Sequence, residues 1–180
     1  MALRSLAAAL LTLPLAATSA TAAEVVTSPA PLPATHERAR VFLGGSIEMG
    51  VARDWQADLI AALANEPAIL LNPRRPDWNP AWKPVAEEPQ FRRQVEWELS
   101  ALDSADVIVM YLAPGTQSPI SLLELGLHGR SGKVVLLCPD GFWRKGNVDI
   151  TAERYGITRV ATFDELVAEV RARLRRWKPE

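Results

Sequence analysis

Short apolar runs alternate with amphipathic stretches between residues 39 and 180, and this alternation predicts the fold class. Continuous apolar runs are typical of strands buried on both faces, whereas apolar positions three and four residues apart are typical of helices that cover a sheet. Strands that alternate with helices indicate a parallel sheet, and right-handed crossovers favour a small doubly wound α/β domain with helices on both faces. The pattern predicts five strands, at 40–43, 68–71, 106–112, 134–138 and 159–161. It predicts helices at 52–65, 89–104, 119–129, 147–155 and from 162 onward.

The first 23 residues have the pattern of an export signal. A positive charge at Arg4 precedes an apolar run at 6–17 and small residues up to position 23, where a signal peptidase would cleave. The run is too short to hold as a membrane-spanning helix. The alternatives are a wrongly assigned start codon or an alanine-rich disordered tail. A cleaved signal implies a periplasmic or secreted protein, and an intact one a cytoplasmic protein.

Residues 24–38 contain three prolines and are interpreted as an extended linker, so the folded domain is predicted to span 39–180. The net charge of −1, with no basic stripe apart from the predicted C-terminal helix, is not typical of nucleic-acid-binding proteins. The single cysteine, Cys138, excludes an internal disulfide, and no histidine or cysteine spacing matches a zinc site. We therefore expect no metal, no nucleic-acid partner and no stable membrane insertion.

One carboxylate lies within an apolar run. Glu124 belongs to the segment 118–126, which follows the predicted strand 106–112. Ser118 can cap a helix and Pro119 suits its first position, so Glu124 falls early in a helix at the carboxyl end of a parallel strand. Open α/β sheets bind ligands at such ends, and burying a carboxylate among leucines is costly unless it is used. Glu124 is therefore a candidate nucleophile or electrostatic catalyst; the alternative is a helix glutamate that reaches solvent.

Three segments that follow predicted strands should converge with it. The segment 44–48 contains Gly45, which allows close approach of a ligand to the backbone, and Ser46, which can hydrogen-bond it. The other two are 113–118, which leads to Glu124, and 139–143, with Asn147 beyond it. The glycine spacing matches neither a dinucleotide fingerprint nor a phosphate loop, and a plain tight turn is an equally good interpretation.

A second carboxylate, Glu98, lies on the helix that precedes the third predicted strand, beside Trp97. The long loop 72–89 contains five prolines together with Trp78, whose ring could stack on a planar base. Two carboxylates would serve glycosidic chemistry, because one attacks the anomeric carbon while the other handles the proton of the leaving group. The alternative for Glu98 is an ordinary solvated helix residue.

Four of these elements, in this order, resemble one known family. Gly-Ser-Ile at 45–47, Trp-Glu at 97–98, Ala-Asp-Val-Ile-Val at 105–109 and Leu-Glu-Leu-Gly at 123–126 are similar to motifs of the nucleoside 2-deoxyribosyltransferase-like family. The resemblance covers about 40–157. It implies a flavodoxin-like fold and cofactor-free cleavage of the N-glycosidic bond of deoxynucleosides. It also implies that Glu124 forms a glycosyl-enzyme intermediate, that Glu98 assists the base, and that Asn147 helps to hold the sugar, sometimes in a neighbouring subunit of a homo-oligomer.

Two positions depart from the transferase pattern. An aspartate that commonly binds the sugar hydroxyl, six residues before the nucleophile, is replaced by Ser118. Related deoxynucleoside 5′-monophosphate N-glycosidases carry a phosphate-binding serine there, but they also use an arginine where this chain has Glu48. The sequence therefore predicts a transferase or hydrolase that acts on (deoxy)nucleosides. The alternatives are an N-glycosidase for NAD or another nucleotide, and a non-catalytic nucleoside- or nucleotide-binding module.

Overall fold

A computed structural model describes residues 22–48 and 52–179, so most of the predicted export signal lies outside the described residues. The described chain forms one parallel sheet of six strands with five helices. The strands are β1 (Glu24–Thr27), β2 (Ala39–Gly45), β3 (Ala68–Asn72), β4 (Val107–Tyr111), β5 (Val134–Leu137) and β6 (Thr158–Val160). The helices are α1 (Trp55–Ala62), α2 (Pro89–Ser104), α3 (Pro119–His128), α4 (Lys145–Tyr155) and α5 (Phe163–Arg176).

The sheet has the order β1-β3-β2-β4-β5-β6, and every neighbouring pair is parallel. Without β1, this is the strand order of flavodoxin-like proteins. The predicted α/β class, doubly wound arrangement and flavodoxin-like fold are therefore confirmed.

The predicted number of five strands is wrong, because β1 adds a sixth. It lies in the segment interpreted as a linker and pairs with β3, with Val25 opposite Leu70. Pairing satisfies the backbone groups of an edge strand that would otherwise be unpaired. Val26 is buried in the core, whereas Val25 is largely exposed. Two valines before a run of prolines gave too short a pattern to predict this strand.

Two hydrophobic layers cover the sheet. Because side chains alternate along a strand, Phe42, Ile108 and Met110 pack on one face with residues of α2, α3 and α4. Val41 and Val109 pack on the other face with residues of α1 and α5. The crossover helices thus divide between the two faces.

The strand order reverses between β2 and β4, which are neighbours at the centre of the sheet. The chain leaves β2 for α1 on one face and leaves β4 for α3 on the other. A crevice opens where chains diverge in this way, and open α/β sheets bind their ligands there. The segments after β2 and β4 are those in which the sequence predicts the site.

Candidate active site

The end of β2 requires glycine. Gly45 has φ of 140°, and a Cβ placed on it would lie 2.2 Å from the carbonyl oxygen of Tyr111 on β4. Any side chain would therefore force the two central strands apart. The sequence predicted close backbone approach at this position, and the approach seen here is between Gly45 and the neighbouring strand.

Ser46 is fully buried and connects the two loops that leave these strands. Its hydroxyl accepts a hydrogen bond from the backbone N–H of Ala113 at 2.8 Å. The same oxygen lies 2.7 Å from the Ser118 hydroxyl and 2.8 Å from the Thr116 hydroxyl. Thr116 donates its own hydrogen to the Ala113 carbonyl, so it accepts from its hydroxyl neighbours. Ser46 and Ser118 are thus brought together, and Thr116 is a member of the cluster that the sequence analysis missed.

Ser118 does not cap α3 with its side chain, contrary to the sequence prediction. The residue adopts a left-handed conformation with φ of 45°, and its hydroxyl is directed into the cluster around Ser46. Glu48 stands close by: its Oε1 accepts hydrogen bonds from the backbone N–H groups of Ser118 at 2.8 Å and Gln117 at 3.0 Å. The Ser118 hydroxyl lies 3.3 Å from the same oxygen. The Glu48 carboxylate therefore accepts the hydrogen bonds of the backbone amide groups at the start of α3.

Glu124 is only 8% exposed, so the alternative of a solvent-reaching glutamate is wrong. Burial, together with the smaller effect of the nearby charge of Glu98, raises the pKa of Glu124 from 4.5 to about 8. Three apolar side chains of α3 remain 59–60% exposed, namely Ile120, Leu123 and Leu127. They form a stripe next to Glu124 on the helix surface, because residues three and four positions apart are neighbours there. Helix α3 thus buries its carboxylate and leaves this apolar stripe exposed.

Glu98 on α2 is the second member of the pair. Burial raises the pKa of Glu98, and a hydrogen bond of 2.9 Å from the Gln94 amide to Glu98 Oε1 opposes part of this rise. Helices α2 and α3 pack on the same face of the sheet, which places Glu98 within electrostatic reach of Glu124. The structure therefore brings together the two carboxylates that the sequence singled out.

The long loop is held by an aromatic cluster around Trp78. The centre of the Trp78 ring lies 5.2 Å from that of Trp82 at an interplanar angle of 82°, and 6.4 Å from that of Phe91 at an angle of 66°. The guanidinium of Arg75 lies 5.0 Å from the centre of the Trp82 ring and forms two hydrogen bonds with Asp77. Trp78 is part of this cluster, and its stacking on a base stays a prediction.

Asn147 lies in the first turn of α4 and is exposed. The segment before it is tied to the loop after β4, because Trp143 donates to the Gln117 carbonyl at 2.9 Å and Gly115 donates to the Gly141 carbonyl at 3.0 Å. Asn147 therefore lies on the same edge of the sheet as the hydroxyl cluster, with its side chain open to solvent.

A cavity of about 810 Å³ lies farther along this edge, at the ends of β5 and β6. Its lining includes Cys138, Lys145 and Asp149, but neither Glu98 nor Glu124. Among residues 22–48 and 52–179, no group of three or more histidine, cysteine or acidic residues is placed to hold a metal ion. Within the same ranges, no helix is both long and apolar enough to cross a bilayer.

The family described as nucleoside 2-deoxyribosyltransferase like matches residues 38–142. The match begins just before β2 and includes Ser46, Glu98, Ser118 and Glu124, whereas Asn147 and β1 lie outside it. A comparison with curated proteins gives no significant match. Because the family match covers more than half of the chain and the fold agrees with it, this chain belongs to the nucleoside 2-deoxyribosyltransferase-like family.

Proposed function

We propose that the protein cleaves the N-glycosidic bond of (deoxy)nucleosides and passes the sugar to water or to an acceptor base. The observation that carries this proposal is the pair formed by the buried Glu124 and the partly buried Glu98, which are close enough for the charge of Glu98 to act on Glu124. Burial of two carboxylates is costly, and like charges close together add to the cost. Such an arrangement is typical of a site that uses the carboxylates for chemistry.

The reaction has two steps that conserve atoms and charge. A carboxylate oxygen of Glu124 attacks C1′, the C1′–N bond breaks, and its electron pair leaves with the base nitrogen, which accepts the proton of Glu98. The product is an ester between Glu124 and the sugar. Water or an acceptor base then attacks C1′, gives its proton to Glu98, and releases Glu124 as a carboxylate.

This cycle needs one proton on the pair of carboxylates. Burial raises the pKa of both groups, and the charge on Glu98 adds to the rise at Glu124. The second proton is therefore lost only at alkaline pH, and the pair retains one proton near neutrality. With a pKa of about 8, Glu124 holds this proton in the resting site at neutral pH. The reactive arrangement forms when the proton moves within the pair to Glu98, which leaves Glu124 ionised.

Glu48 favours an unphosphorylated substrate. Its carboxylate accepts hydrogen bonds from the amide groups of Gln117 and Ser118, which are the kind of donors that bind a phosphate at a helix start. A substrate phosphate would have to displace this carboxylate and approach its negative charge. We therefore propose nucleosides, rather than nucleotides or NAD, as the preferred substrates. The alternatives are a nucleotide N-glycosidase and a non-catalytic binding module.

A homo-oligomer is also part of the proposal. The exposed apolar stripe of α3, formed by Ile120, Leu123 and Leu127, lies on the helix that carries Glu124. A second copy that buries this stripe would remove apolar surface from water and bring its own groups close to the site. The exposed Asn147 is our candidate for a group that reaches the neighbouring site.

A panel of nucleosides, incubated with and without an acceptor base, tests the activity. Free base alone indicates a hydrolase, exchanged base a transferase, and binding without product the non-catalytic alternative. The Glu124→Gln variant should lose several orders of magnitude in rate, and mass spectrometry of the wild type should detect the sugar ester. Glu96→Gln, an exposed glutamate on α2, is the control and should retain activity. A Glu124→Gln variant that keeps a tenth of the rate would contradict the mechanism.

The role of Glu48 is tested by comparing a nucleoside with its 5′-monophosphate. Glu48→Gln removes the charge and keeps the size of the side chain, so the ratio of kcat/KM for the two substrates should shift toward the monophosphate. Wild-type preference for the monophosphate would favour the nucleotide alternative. An unchanged ratio in Glu48→Gln would mean that this carboxylate does not select the substrate.

A further inference from the structure

The orientation of the Gln94 amide is fixed by its neighbours. Its Nε2 lies 2.9 Å from the carbonyl oxygen of Pro73, which can only accept a hydrogen bond. The same nitrogen lies 2.9 Å from Glu98 Oε1. The amide oxygen lies 2.6 Å from the Ser28 hydroxyl, which must therefore be the donor. Both N–H groups and the oxygen of Gln94 are used, and the residue is 5% exposed.

This arrangement distinguishes the two oxygens of Glu98. An N–H group of Gln94 points at Oε1, so a proton on Oε1 would oppose that donor. When Glu98 carries a proton, the proton therefore resides on Oε2, and the free O–H is directed away from Gln94. The amide thereby sets the direction from which Glu98 can deliver a proton.

Two of the contacts that hold this part of α2 come from outside the region matched by the family. Ser28 follows β1, precedes the matched residues 38–142, and is 3% exposed. Two residues later, the carbonyl of Ala30 accepts a hydrogen bond of 2.7 Å from the indole of Trp97. Gln94 and Trp97 are adjacent on the buried side of α2. Ser28 and Ala30 thus contact Gln94 and Trp97, which lie four residues and one residue before Glu98 on α2.

We propose that Gln94, held by Ser28, is a positioning residue that orients the proton of Glu98 toward the departing base, and that the segment after β1 is a working part of the active site. This inference rests on the proposed glycosidic reaction. It adds a role for two residues outside the carboxylate pair.

The test is a series of nucleosides that share the accepted base type but carry electron-withdrawing substituents, so that the departing bases differ in acidity. A base that leaves easily needs little help from an acid, whereas a poor leaving group depends on it. We measure single-turnover base release and plot its logarithm against the acidity of the departing base. In Gln94→Leu, the slope should become steeper, with at least tenfold more loss for the poorest leaving group than for the best.

A purely structural role would slow every substrate by the same factor and leave the slope unchanged, and that result would overturn the inference. Ser28→Ala is the milder variant, and it should steepen the slope in the same direction even if Gln94→Leu does not fold. Gln90→Leu, the same chemical change one turn earlier on α2, is the control and should leave the slope unchanged. A wild type that releases no base from any nucleoside would instead refute the proposed function itself.

Discussion

Replacement of Glu124 by glutamine should make the protein more stable at alkaline pH while it removes the activity. The pKa of Glu124 rises from 4.5 to about 8 on folding because the carboxylate is buried and lies near Glu98. Between these two values, the folded state holds a proton that the unfolded state has released. The contribution of the protonated Glu124 to the stability of the wild type is therefore fully present below pH 4.5 and is lost as the pH rises through 8.

The size of this effect follows from the shift. At about 1.4 kcal/mol per pH unit, a rise from 4.5 to about 8 corresponds to about 5 kcal/mol of stability lost by pH 9. Because water can enter as the carboxylate ionises, we expect a measured difference of about 2–5 kcal/mol. Glutamine has nearly the same shape and never ionises, so Glu124→Gln should avoid this loss. At pH 5 the two proteins should differ by less than about 1 kcal/mol, since both side chains are then neutral.

The assay is urea unfolding at several values between pH 5 and 9, with equal protein concentrations because the proposed association would contribute to stability. Glu96→Gln is the matched control, since its carboxylate is 63% exposed and forms an exposed ion pair with Arg92. Loss of such a pair costs a few tenths of a kcal/mol with little dependence on pH in this range. A constant stability difference between Glu124→Gln and the wild type from pH 5 to 9 would show that Glu124 does not ionise at a buried site.

Three further predictions concern metal dependence, subunit sharing and export. Activity should survive EDTA, and a loss that a divalent ion restores would contradict the two-carboxylate mechanism. Mixed oligomers of inactive Glu124→Ala and inactive Asn147→Ala subunits should regain activity through hybrid sites, whereas an active monomer in sedimentation would exclude sharing. We also propose that the mature chain begins near Ala23 or Glu24, which N-terminal sequencing of the protein from its native host would decide; an intact Met1 in the soluble cytoplasmic fraction would contradict export.

Features with a local pattern could be predicted from the sequence. Helix α2 has the bounds 89–104 that its apolar spacing predicted, because a long amphipathic helix repeats its signal over several turns. The four central strands were found because each is a continuous apolar run. Glu124 was noticed because it is a charged residue within such a run. The structure shows that its side chain is buried with its apolar neighbour Leu125.

Contacts between residues far apart in the chain could not be predicted in this way. Ser28 and Gln94 are 66 positions apart, and Glu48 and Ser118 are 70 apart. Serine, glutamine and glutamate are ordinary residues in loops and helices, so nothing local marks them. Their roles appear only when the sheet brings the ends of β1, β2 and β4 to one edge. The same reason explains why Ser118 was expected to cap α3, whereas its hydroxyl bonds in the cluster around Ser46.

Helix α3 departs in two ways from the usual pattern of a surface helix. A helix that covers a sheet normally buries its leucines and exposes its carboxylates. Here Glu124 is buried while Ile120, Leu123 and Leu127 are exposed. Each departure is unfavourable in an isolated domain, because one removes a charge from water and the other leaves apolar surface in it. We propose that catalysis accounts for the first and a subunit interface for the second. If both hold, substitution of the exposed Leu123 by a charged residue should weaken association and reduce activity together.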